Sequence, residues 1–155
     1  MRRWRLWTER LRADDAGSAA LEFITAGLLL LVPVVYLVLS ISAVQAAALA
    51  VDGAARQASR VFVQSGTSAE ARAAAARAIA VTLADYGVDA ADATVQIRCR
   101  PRAQACLTRQ GFVTVSIRVT VPLPLLPPVI DTGLPAGLPV SATATEQVSR
   151  FWGAR

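Results

Sequence analysis

Three features of the chain have the residue types and spacing to do chemistry. Cys99 and Cys106 flank six residues. A carboxylate, Glu22, stands at the head of 29 residues, 23–51, that contain no Asp, Glu, Lys or Arg. Five arginines, Arg98, Arg100, Arg102, Arg109 and Arg118, crowd around the cysteines in sequence. Two cysteines can hold a metal, exchange electrons or close a structural disulfide. A metal needs further ligands, and the chain has no histidine, the commonest one. Redox pairs use a tighter spacing and a helix N-terminus that lowers the thiol pKa. A structural disulfide over a strand-to-strand loop is therefore the expectation, provided that this part of the chain meets an oxidising compartment. The lack of histidine also removes the commonest general base, and no set of Ser, Cys or carboxylates is spaced like a catalytic constellation. The chain is not expected to be an enzyme, and neither cofactor nor metal is expected.

The compartment follows from the uncharged run. About 20 apolar residues in a helix cross a bilayer, so 29 suffice. Residues 1–17 carry Arg2, Arg3, Arg5, Arg10 and Arg12 against Glu9, Asp14 and Asp15, and basic flanks stay cytoplasmic. The N-terminus is predicted inside and the cysteines outside. Trp4, Trp7 and Leu11 fit either a short interfacial helix or a generic basic flank. A secretory signal peptide cut near Ala46, Ala47 and Ala48 would need an apolar core of 7–15 residues, and this one is far longer. Arg2-Arg3 is a poor twin-arginine signal, because Asp14, Asp15 and Glu22 precede the apolar run. None of these readings explains Glu22, whose charge costs a few kcal/mol if it enters hydrocarbon unpaired. Lying in the headgroup layer and reaching for water is the plainest alternative.

Gly17-Ser18-Ala19-Ala20-Leu21-Glu22-Phe23, followed by an apolar helix, resembles the processing site of type IV pilins. With Leu28-Leu29-Leu30-Leu31-Val32-Pro33-Val34-Val35 it is similar, more specifically, to the TadE-like pseudopilins of tight-adherence (Tad, Flp) pili, whose apolar stretch is commonly interrupted by a proline. The close resemblance covers about 14–65. It implies a leader 1–17 removed by a prepilin peptidase between Gly17 and Ser18, a transmembrane segment 18–45 and an extracytoplasmic head 46–155. Glu22 becomes the fifth residue of the mature chain and Phe23 the sixth. Cleavage frees the α-amine of Ser18, mostly a cation at neutral pH, and the resemblance implies that Glu22 meets the same amine on a neighbouring subunit. Each charge then compensates the other, which matters because an unpaired buried charge is strongly destabilising. The implied partners are the prepilin peptidase, other pilins and pseudopilins, the inner-membrane assembly platform and the lipid bilayer. The implied location is the cytoplasmic membrane, or the cell exterior once in a pilus. A minor subunit is implied, since main subunits of this pilus class are generally much shorter than 155 residues.

The elements that position these groups can be read from periodicity. Pro33 lacks an N–H and crowds the carbonyl of Leu29, so a kink or local loosening is expected while the helix continues. Small residues, among them Gly27, Ala43 and Ala47, allow close approach of another apolar helix. Val51, Ala55, Ala58 and Phe62 then form an apolar stripe, with Asp52, Arg56 and Arg60 on another face. One helix over about 19–64, roughly 69 Å long at 1.5 Å per residue, is predicted to stop at Ser65-Gly66. Thr67-Ser68-Ala69-Glu70 is a capping box, opening a second helix to about Tyr86 with Ile79, Leu83 and Tyr86, helped by Ala75 and Ala76, on its apolar face. Gly87 closes it. Alternation then sets Val95, Ile97 and Cys99 against Gln96, Arg98 and Arg100; Val113, Val115, Ile117, Val119 and Val121 against Thr114, Ser116, Arg118 and Thr120; and, more weakly, Val140, Ala142 and Ala144 against Ser141, Thr143 and Thr145. The predicted class is α+β and pilin-like: a long helix, a second helix and a small antiparallel sheet with a disulfide-closed loop. Pro122, Pro124, Pro127, Pro128, Pro135 and Pro139, with Gly133 and Gly137, predict an extended, turn-rich loop that lies along the head ahead of facing a partner subunit or the membrane. The ending, Glu146 to Trp152, reads as a strand continuation or as an aromatic plug.

The arginine forks around the staple suit phosphates or an acidic surface. A chain starting at Ser18 carries eleven arginines against eight carboxylates, net +3. A solvated face therefore stands ahead of a nucleic-acid contact by Arg98, Arg100 and Arg102. Two functions of different kinds remain: a minor pseudopilin acting by assembly, or an uncleaved single-pass anchor that holds an extracytoplasmic binding head.

Overall fold

The computed structural model describes residues 15–122 and 137–153, with side chains from Ala19 onward. Trp4 and Trp7, with the rest of 1–14, and most of the proline-rich segment, 123–136, lie outside the described residues. Two units are present, 1–39 and 40–155. Helix α1, Asp15–Gln64, runs through Pro33 without a break. Its first half is apolar on every side: Phe23 is 80% exposed, Leu29 72% and Leu30 71%. A helix apolar all round belongs in a core or a membrane, and α1, open on every side here, is long and apolar enough to cross a membrane.

In the second unit the last part of α1 turns amphipathic. Val51, Ala55, Ala58 and Phe62 are fully buried, and Ala47, Ala50 and Ala54 widen the stripe. On the opposite side Asp52 accepts a hydrogen bond from Arg56 Nε at 2.9 Å. That bond, with the Coulombic attraction behind it, raises the already high pKa of Arg56. Ser59, buried among the alanines, donates to the Arg56 carbonyl one turn back, which leaves its hydroxyl no desolvated hydrogen.

Helix α2, Ser68–Ala84, starts on the expected capping box. Thr67 Oγ1 accepts from the Glu70 amide, and Glu70 accepts from the Thr67 amide, both at 3.2 Å. Ala71, Ala75, Ile79 and Leu83 are its buried residues. The expectation for Ala76 and Tyr86 is corrected. Ala76 is exposed because the stripe keeps a strict four-residue step, and Tyr86, 46% exposed, falls in the turn beyond the helix end. Gly87 takes φ +71°, a conformation that costs a side chain dearly, and lets Val88 N–H reach back to the Leu83 carbonyl.

A short 3-10 turn, Ala90–Asp92, leads into the sheet. Strands β1, Thr94–Arg100, β2, Phe112–Pro122, and β3, Gly137–Gln147, pair antiparallel in the order β1-β2-β3. Central β2 buries Val113, Val115, Ile117, Val119 and Val121, as its alternation predicts. These join the buried faces of α1 and α2 in one core. Edge strand β1 is less covered: Val95, on the core side, is still 39% exposed. Both readings of the ending hold in part: β3 continues through Glu146 to Gln147, and beyond it Trp152 packs on the core while Phe151 stays exposed. Val148 is buried, and Trp152 is half-buried with its Nε1–H on the Ser65 carbonyl at 3.0 Å. Arg109 Nε binds the Trp152 carbonyl at 3.0 Å, which ties the same turn to the β1–β2 loop.

Candidate functional site

The residues that the resemblance ties to processing, Gly17 and Ser18, and to assembly, Glu22 and Phe23, lie near the start of α1. Gly17 and Ser18 belong to its first turn, one residue of backbone after Asp15 and Ala16. Glu22 and Phe23 follow one turn later and are both exposed. Thr25 donates to the Leu21 carbonyl at 2.7 Å, so its hydroxyl is satisfied within the helix and adds no free polar group to the apolar surface. Among the described residues Glu22 has no ion-pair partner; the pair present is Arg56 with Asp52. A carboxylate at the start of an unbroken apolar helix, with no cation among the described residues to neutralise it, is a group prepared for water or for another chain.

The second cluster surrounds the disulfide. Cys99, on β1, and Cys106, in the β1–β2 loop, are bonded, and both sulfurs are buried. Arg98 and Arg100 alternate to the opposite face of β1, while Arg102 is exposed in the closed loop. The staple holds a loop that must also make a tight return. A Cβ on Gly111 would sit 2.6 Å from Thr108 Oγ1 and 2.9 Å from the Thr108 carbonyl, so only glycine fits without moving backbone. That requirement carries no signal in the sequence. By chain entropy a closed loop of about eight residues contributes about 2.5 kcal/mol. Cys99→Ser with Cys106→Ser should therefore lower the guanidinium midpoint of the head to the same extent as reductant lowers that of the native chain. Unequal shifts would show that the serines disturb more than the bond.

Strand register fixes where Arg118, already near the staple in sequence, stands on the sheet. Arg118 lies across from Thr94, on the same face as Arg98. No three Cys, Asp or Glu side chains converge on a metal-sized site among the described residues. Compared with protein-family models, with curated proteins and with solved structures, the chain matches none.

Proposed function

We propose that the chain is a TadE-like minor pseudopilin, cut by a prepilin peptidase between Gly17 and Ser18 and assembled into, or initiating, a tight-adherence pilus. The observation that carries this reading is Glu22. It is the lone carboxylate at the head of a charge-free apolar helix, exposed and without a cationic partner among the described residues. Cutting after Gly17 creates the missing cation four residues away in sequence, on every copy. Within one helix that amine and Glu22 are one turn apart, whereas an apolar bundle of copies removes water from both and makes their pairing decide register. The exposed leucines and small residues of 24–42 supply the packing surface for such a bundle. The head has the α+β layout that the resemblance implies.

Cleavage separates this function from that of an uncleaved anchor. Mass spectrometry of the protein purified from its own cells should find a mature chain beginning at Ser18. A chain still beginning at Met1 points to the anchored binding protein.

A further inference from the structure

Strand alternation sorts the charges of the sheet completely. The face turned from the core carries Arg98 and Arg100 on β1 and Arg118 on β2, all exposed. The one carboxylate of the three strands, Glu146, alternates to the other face, half-buried and across from Val113. None of the three guanidiniums is in an ion pair among the described residues. Arg98 and Arg118 share a shallow dish of about 240 Å³ with Gln96, Ser116, Ser141 and Thr143. The floor is stiffened by a cross-strand hydroxyl bond from Thr143 to Ser116 at 3.0 Å, and Thr114 with Thr145 at 2.9 Å does the same beyond the dish on that face. At the end nearest the staple, Arg100 lies directly across from Phe112, a ring 45% exposed on the same face.

Arginine, Ser/Thr and Gln side chains are the groups that contact phosphate and sugar oxygens in nucleic-acid complexes. An exposed ring beside them offers a surface on which any base can stack. We propose that this sheet face binds single-stranded nucleic acid, with Arg98, Arg100 and Arg118 along the phosphodiester backbone and Phe112 beneath a base. A duplex fits less well. Three strands about 4.8 Å apart, with side chains, are too broad for a major groove of about 12 Å, and a duplex offers no unstacked base to Phe112. An acidic polysaccharide would use the arginines but leave Phe112 without a role.

The test uses the full chain in nanodiscs of zwitterionic lipid and a fluorescent 20-nucleotide oligothymidine, with anisotropy read across a salt series. Three phosphate contacts predict a slope of log affinity on log salt of about −2, each contact adding about −0.7. Arg98→Ala with Arg118→Ala should flatten that slope to about −0.7 and weaken binding at least tenfold. Phe112→Ala should weaken binding roughly tenfold with the slope unchanged. Arg72→Ala with Arg77→Ala, the same loss of charge on the exposed side of α2, should leave binding as it was. All these side chains are exposed, so loss of fold does not enter. The proposal is overturned if the oligonucleotide does not bind, if both arginine pairs weaken it equally, or if alginate binds as tightly and Phe112 makes no difference. The last result assigns the face to acidic polysaccharide.

Discussion

Glu22→Gln should abolish entry of this protein into a filament while leaving the chain in the membrane and its leader removed. On the proposed function every assembled copy buries the Ser18 amine of one chain against the Glu22 carboxylate of another. Glutamine keeps the shape of the side chain and removes only the charge, so the amine is left buried and unpaired. Breaking one side of a buried pair costs about 3–5 kcal/mol, and 1.4 kcal/mol is a factor of ten. Incorporation should fall by two to three orders of magnitude. The apolar helix is otherwise untouched, and 29 uncharged residues still insert. Immunoblots of sheared pili against membranes, in cells whose only copy is the variant, measure the partition. Glu22→Asp, which keeps the charge on a shorter stem, should recover part of the loss. Wild-type amounts of the glutamine variant in sheared pili would end the pairing account, whatever the N-terminus proves to be.

What could be read from the sequence, and what could not, divides along local and long-range physics. The stripe of Val51, Ala55, Ala58 and Phe62, all fully buried, was legible because a helix repeats every 3.6 residues whatever it packs on. The capping box at Thr67 and Glu70 was legible for the same reason, its partners being three residues apart. In α2 the alanines blurred the period: with Ala71, Ala73, Ala74, Ala75 and Ala76 all small and apolar, sequence alone cannot say which face is inward. Ala76 was assigned to the wrong one. Tyr86 failed differently, since a ring in helical phase with Leu83 and Ile79 was carried out of phase when the helix ended two residues earlier. Strand faces were readable from alternation; register was not. It takes the pairing of Thr94 with Arg118 to put Arg118 on the same face as Arg98, four residues further along the sheet. The contact of Trp152 with the Ser65 carbonyl joins residues 87 apart, and no pattern in either segment announces it.

The core makes the other large prediction, and Phe62 is where it concentrates. The face that α1 gives to the head is built mostly of alanine, with Val51 and Phe62 its only large fully buried apolar side chains and Val61 and Val63 half-buried beside them. Around an alanine-rich face there are few flexible side chains able to swing into a hole, so truncation leaves a cavity that stays open. Phe62→Ala should cost about 3–5 kcal/mol, a large share of the roughly 5–15 kcal/mol by which domains are stable. Phe62→Leu, which refills most of the volume, should cost less than about 1.5 kcal/mol. Ala76→Ser, on the exposed side of α2, should stay within about 0.5 kcal/mol. Guanidinium denaturation followed by the fluorescence of Trp152, with Trp4 and Trp7 replaced by phenylalanine, ranks the three directly. Trp152 reports on the right place, because its indole N–H is held by Ser65, three residues beyond Phe62. If Phe62→Ala left the midpoint where Ala76→Ser leaves it, the α1 stripe would not be holding the head together. The packing of this helix against the sheet would then need another explanation.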